Sequence, residues 1–359
     1  MTLVSGPSQS SAYFSGMQDD DVKGKGPAGS HSAVPPNGDA AHKLPETQLP
    51  DDIVDRIHQL EKKYTAMGQD MRSYLDGLIH SDFLTYWDYI HLDTLLSLQN
   101  PRTAVPDEKI FILYHQITEL YFKLILNEIH QIADDPALTG ETVAMRMKRC
   151  INYFRHLTES FSIMIDGMEK EQFLAFRMAL LPASGFQSGQ YRMIELTSTT
   201  ANNLVVWRER ERLATETDPQ VLLDHLYWQW GGRELASGKK TLTLNQFLLK
   251  YSEPFRGLIV DFRDKNLWAR FQSLREIERT DELTNMFRDF DHLVNVAWPL
   301  VHLKSAARYL NRKPEVIAAT GGTNWQKYLP PNEQQLIFFP ELWKEEEIRA
   351  WGTKTNYPV

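Results

Sequence analysis

The sequence predicts an all-α protein, on three observations. Long stretches place apolar residues three and four apart, the spacing that lines them up along one side of a helix. The connections between these stretches are short. No alternating apolar–polar run extends beyond a few residues, and there is no internal repeat, so neither a sheet nor a solenoid is supported. Long helices with short connections point to a helical bundle.

In chain order, residues 1–48 are rich in Gly, Pro and Ser with sparse apolar residues, and read as a disordered leader that cannot offset its ordering entropy. From Leu49 the pattern changes. Asp51 and Asp52 suit a helix N-terminus, and Ile53, Ile57, Leu60 and Tyr64 follow at helical spacing. Pro106 and Asp107 open the clearest helix, expected over 110–132, with Ile110, Leu113, Ile117, Leu120, Leu124 and Ile125 on one stripe. A second long helix is expected over 141–168, with Met147, Ile151, Phe154, Leu157, Phe161 and Ile165 as its apolar positions. A third runs over 281–309 through Met286, Phe290, Leu293, Val294, Ala297 and Val301. The region 205–280 mixes helical patterns with Gly-rich breaks and reads as a divergent insertion or subdomain of a domain spanning 49–359. Leu336–Phe339 could pass for a strand, but one strand makes no sheet.

Composition narrows the function. The formal net charge is -8, which argues against nucleic acid as a partner, since such binding needs a basic surface. It also gives no polybasic membrane contact. No apolar stretch reaches the length of a membrane span, and the N-terminus lacks a secretory pattern, so a cytoplasmic location is expected. The single cysteine, Cys150, excludes an intramolecular disulfide and every Cys-based zinc pattern. Phosphate-binding glycine loops are absent too.

Most of the 11 histidines stand alone, with no His-Glu-x-x-His and no paired Glu-x-x-His. Three segments invite a chemical reading. In the first, Phe111 and His115 share a helix face that Glu119 and Lys123 extend. A buried face of that composition needs partners, which leaves a structural ion pair or a site. In the second, Phe173 and Arg177 precede a turn from Pro182 to Gly185, and Tyr191 follows. Ser184 lies there among free backbone N–H groups suited to an anion, while Arg177 offers a fork suited to a carboxylate. On this segment alone, an ordinary helix–turn–helix corner with a surface arginine is the better reading. In the third, Trp298 to His302 is followed by Thr320 to Thr323 around Gly321 and Gly322. That pattern fits an axial ligand with a lid, or a plain loop.

Taken together, these segments resemble the tryptophan 2,3-dioxygenase family of haem-dependent aromatic oxygenases. The resembling phrases run from Tyr86 to Gln99, through His115, Gln116, Glu119, Phe122 and Lys123, then Pro182 to Ser188 and Phe339 to Trp343. They span about Phe83 to Trp343. The resemblance implies a helical bundle enclosing a b-type haem, non-covalently held because no Cys-x-x-Cys-His exists. His302 would be the axial ligand of the iron. His115 would sit opposite as the catalytic residue bonding the indole N–H, with Phe111 against the indole and Phe173 lining the pocket. Arg177 would clamp the carboxylate, supported by Tyr191. Ser184 would contact a haem propionate or the nearby water network, and Thr320 the substrate ammonium. Tyr86, with Tyr89, would close the pocket from a neighbouring subunit of a homotetramer. The implied reaction joins L-tryptophan and O2 into N-formylkynurenine, the entry to the kynurenine pathway of tryptophan catabolism. Mono-oxygenation of another aromatic amino acid, or haem or indole binding without catalysis, are the alternatives.

The sequence departs from the family pattern where basic residues usually flank the segment before the axial histidine: Pro299 and Val301 stand there. The chain before Thr320 is also longer, through Glu315 to Ala319, with Ala319 in place of a glycine. Pro299 removes a backbone donor and should kink the helix.

Overall fold

The computed structural model describes residues 49–81, 85–180, 187–234, 238–310 and 330–353. The leader, the turn holding Ser184 and the segment holding Thr320 lie outside them. The described residues are helical, with only two isolated bridges, Val205 with Leu226 and Arg233 with Lys240. None of their helices is long and apolar enough to cross a membrane.

The chain divides into two units, up to Leu98 and from Gln99 onward. The first carries α1 (Asp51–Ala66), α2 (Met71–Ile79) and the short helices Tyr86–Tyr89 and Leu92–Ser97. Asp70 caps α2 by accepting from Arg72 N. No helix of this unit buries a residue.

The second unit is built around α3 (Asp107–Ala133). Its start is fixed as Pro106 and Asp107 predict. Glu108 accepts the N–H groups of Arg102 and Thr103, and the Asp107 carboxylate accepts Glu169 N. The expected stripe is corrected, however. Leu113, Ile117, Leu120 and Leu124 are exposed, whereas Tyr114, Thr118, Phe122, Ile125, Leu126 and Ile129 are buried. Helix α3 is apolar on two sides, and periodicity alone cannot say which one the rest of the chain covers.

Against α3 lie α4 (Gly140–Ser160), α5 (Lys170–Phe176), α6 (Gly189–Ser198) and, further along, α9 (Leu267–Ser273). The expected helix to residue 168 instead stops at Ser160, and a short helix Ser162–Asp166 follows. The Leu157 carbonyl accepts the hydroxyls of Tyr114 and Ser160, which satisfies it without a continuing turn and lets Phe161 change direction. The apolar positions predicted for this stretch are all buried.

Within 205–280 lie α7 (Pro219–His225) and α8 (Leu242–Asp261), joined by the turn Trp228–Gly231. Trp228, Phe247, Phe255 and Phe271 belong to the same core as α3 and α4. Gly189, the first residue of α6, shows why a glycine is needed there: a Cβ would stand 2.4 Å from the Tyr251 ring. That ring is held between Phe247 and Phe255. The third long helix is interrupted. Helix α10 (Asp281–His292) passes through a π turn, Leu293–Ala297, into α11 (Trp298–Leu310). The irregularity expected of Pro299 is thus a wider turn just before it. Leu336–Phe339 forms no strand; Phe338 N and Phe339 N donate to the Asp291 carboxylate.

Replacing Gly189 by Ala should cost about 1–3 kcal/mol through overpacking against Tyr251, read as a lowered urea midpoint. Adding Tyr251→Leu should recover part of that loss.

Candidate functional site

The site is assembled from two histidines on separate helices. His115, in the middle of α3, places Nδ1 2.7 Å from the Phe111 carbonyl. His302, on α11, places Nδ1 3.1 Å from the Trp298 carbonyl. A carbonyl only accepts, so in both rings Nδ1 carries the proton and donates. Each neutral ring therefore keeps a bare Nε2 lone pair facing away from its own helix. The sequence fixes this arrangement locally, because residues four apart stack on one helix face.

Desolvation favours the neutral form of both rings. Desolvation lowers the His302 pKa to about 4, offset by the Trp298 carbonyl and lowered further by the charge of His115. His115 is also lowered by desolvation, offset by the Phe111 carbonyl and Glu119. His115 is nonetheless exposed to solvent. Phe111 and Tyr114 pack against its ring from the same helix. The two rings are linked through Tyr114, which meets His115 edge-on, and Phe161, which packs on His302.

Aromatic side chains connect them. Phe111 lies 4.1 Å from His115, centre to centre, and packs on Phe173 and Phe176 of α5. On the other side Phe161, freed by the break after α4, lies 4.4 Å from His302 and meets Tyr114 edge-on. Trp298 also lies 4.4 Å from His302 and packs against Phe122, which reaches Tyr191. Five predicted residues, Phe111, His115, Phe173, His302 and Tyr191, are thereby joined through one continuous set of ring contacts.

Arg177 directly follows Phe176 and is buried, so the surface-arginine reading is corrected. The expected buried face of α3 is corrected as well, since His115 and Lys123 reach solvent while Glu119 is half-buried. Gln190 donates to both the Glu119 carboxylate and its carbonyl, tying α6 to α3. Tyr191 is buried and donates its hydroxyl to the Val294 carbonyl, 2.9 Å away. Tyr86 and Tyr89 belong to the first unit, where both are exposed.

Two clusters escaped the sequence reading. Arg192 donates to both oxygens of Glu195 and to the Tyr227 hydroxyl; Arg192 and Glu195 are buried and Tyr227 is half-buried. Burial pushes the Glu195 carboxyl up while Arg192 opposes the shift. Asp291, fully buried, accepts from Asn295, Phe338, Phe339 and Trp343. The available signal was a carboxylate on the buried side of α10, beside Phe287, Phe290 and Val294.

A family model described as tryptophan 2,3-dioxygenase matches residues 77–225, a span that includes Tyr86, Phe111, His115, Phe173, Arg177, Ser184 and Tyr191. The tryptophan 2,3-dioxygenase of Xanthomonas euvesicatoria pv. vesicatoria is 30% identical over 291 residues, covering 75% of this chain and 89% of its own. That of Anaeromyxobacter dehalogenans is 29% identical over 284 residues, covering 75% and 97%. Its namesake in Anaeromyxobacter sp. strain K is 30% identical with the same coverage.

Burial also makes the stability of the chain pH-dependent. His292 and His302 are both lowered to about 4, against about 6.5 in an unfolded chain. Between those values unfolding takes up protons, so stability rises with pH through the window and falls on acidification. Each histidine should contribute on the order of 1 kcal/mol at pH 5 relative to pH 7. Urea titrations at the two pH values should show the loss, and His292→Gln should reduce it by about one proton's worth.

Proposed function

The chain belongs to the tryptophan 2,3-dioxygenase family, and from that premise we propose that it is a haem-dependent oxidoreductase that cleaves the indole C2–C3 bond of L-tryptophan with O2, giving N-formylkynurenine. The observation that carries the reading is the pair His115 and His302: two imidazoles on different helices, each with Nδ1 on its own helix's carbonyl and a bare Nε2, linked through the rings of Tyr114 and Phe161.

The residues present fit a b-type haem. Among the described residues no group of three or more His, Cys, Asp or Glu side chains could hold a metal ion. His302, with its bare Nε2, would hold the iron of a haem, which needs no cluster of protein ligands. Haem, when bound, supplies the O2 chemistry that no side chain can provide. The desolvated His302 stays unprotonated at neutral pH, and its Nε2 would hold the iron.

On the opposite side, His115 Nε2 accepts the indole N–H. Its tautomer is already set by Phe111, so no reorganisation precedes binding. Phe111, Phe173 and Phe176 form an apolar wall for the indole, and their bulk excludes water from it. Arg177 meets the substrate carboxylate; its burial strengthens that pairing. Tyr191 supports the site from α6. Ser184 serves a haem propionate and Thr320 the ammonium. Tyr86 and Tyr89 close the pocket from a neighbouring copy in a homotetramer. Residues 49–359 constitute the oxygenase domain, with 205–280 its divergent helical part.

The purified, haem-reconstituted protein should show a Soret band that His302→Ala weakens or abolishes. Reduced protein given L-tryptophan and then isotope-labelled O2 should yield N-formylkynurenine carrying both labelled atoms. Arg177→Leu should lower kcat/KM at least about 100-fold, and His115→Ala should lower turnover while the Soret band persists. Absence of a Soret band after reconstitution would sink the proposal. A singly oxygenated product would instead favour a mono-oxygenase, the alternative that Pro299 and Val301 motivate.

A further inference from the structure

The helix that carries His302 does not run straight into the site. It is reached through the π turn Leu293–Ala297, and the hydrogen bonds around that turn identify what holds it. Trp298 N donates to the Leu293 carbonyl, five residues back. In an α-helix the same N–H would serve Val294. The Val294 carbonyl is therefore released, and the Tyr191 hydroxyl takes it at 2.9 Å. Pro299 follows immediately and has no N–H to offer the Asn295 carbonyl. The local sequence thus favours a widened turn, and a side chain from another helix satisfies the acceptor that widening exposes.

The opposite side of the turn is gripped as well. Asn295, a member of it, donates its side-chain amide to Asp291 at 2.8 Å. The same carboxylate accepts Phe338 N at 2.8 Å, Phe339 N at 3.1 Å and Trp343 Nε1 at 3.0 Å. Asp291 is fully buried. A buried carboxylate surrounded by four donors is favoured only with all of them in place. The C-terminal segment, the end of α10 and the π turn are thereby bound to one group.

His302 lies one turn beyond Trp298 and donates Nδ1 to the Trp298 carbonyl. Any change in the pitch of the π turn carries Trp298 and His302 with it, and each residue of register turns a helix by about 100°. We propose that Asp291 is a positioning residue for the oxygenation site: with Tyr191 it locks the π turn and so sets the direction in which His302 presents Nε2. The inference rests on the haem reading above and adds to it a residue that touches neither substrate nor iron.

The test compares haem-loaded Asp291→Asn, Trp343→Phe and Tyr191→Phe with the parent protein and with Lys265→Ala, which removes an exposed bond to Asp134 and touches none of the residues that hold the π turn. Asp291→Asn keeps the shape but turns an amide N–H toward the N–H donors. Trp343→Phe and Tyr191→Phe each remove a single hydrogen bond, so they report even if the first variant does not fold. The readouts are haem affinity, the iron–histidine stretching band of the reduced protein, and kcat and KM for tryptophan. Asp291→Asn should weaken haem binding roughly 10-fold, shift or broaden the iron–histidine band, and lower kcat with KM changed less than about twofold. The single-bond variants should shift the band in the same sense. Lys265→Ala should leave the band unmoved. An unchanged band and haem affinity in folded Asp291→Asn, or in both single-bond variants, would overturn the proposal while leaving the haem reading intact. A parent protein that takes up no haem would overturn both.

Discussion

A histidine within a long helix has a partner for Nδ1 close at hand: the carbonyl one turn earlier on the same face. His115 and His302 both use it, and the organisation of the site follows. The bond selects the tautomer, and the tautomer leaves Nε2 as an electron-pair donor. What it cannot do is hold the ring against rotation or bring the two rings together. Those tasks fall to Phe111, Tyr114, Phe161 and Trp298, which contact the imidazoles from three different segments. The same rings desolvate the histidines and keep them neutral. Tautomer, orientation and protonation state therefore share one physical origin, the packing of aromatic side chains around an intrahelical hydrogen bond.

That packing needs helices fixed to one another by more than apolar contact. Three polar anchors supply the register. Gln190 joins α6 to α3 through Glu119. Tyr191 joins α6 to the π turn. Arg192, Glu195 and Tyr227 join α6 to the turn that follows α7. All start from one short helix, and each is directional. A buried ion pair such as Arg192 with Glu195 adds little net stability, because desolvating two charges opposes their attraction. Its geometry, held further by the Tyr227 hydroxyl, leaves few alternative arrangements for α6, on which the placement of the other two anchors depends.

Much of this was legible in the sequence. Helix periodicity located α1, α3, α4 and α10 with α11, and the residue pair Phe111 and His115 announced its shared face by a spacing of four. The apolar positions of α4 were read correctly because that helix has one apolar side. Helix α3 has two, so its exposed side, Leu113, Ile117, Leu120 and Leu124, was mistaken for the buried one. The break at Phe161 was not legible, since it depends on hydroxyls from Tyr114 and Ser160 replacing a backbone donor. Asp291 and the Arg192 cluster were missed because their partners lie 47 and 35 residues away in sequence.

The sequence by itself determined the long helices and the family, both of which depend on residues within a turn or within a matching phrase. Tertiary structure alone decided which face of α3 is covered, that Arg177 is buried, that Tyr114 and Phe161 link His115 to His302, and that Asp291 gathers four donors onto one carboxylate. The division has a physical cause. Hydrogen bonding within a helix and side-chain spacing are local and repeat every turn, whereas burial and the pairing of polar groups depend on which distant segment arrives to cover them.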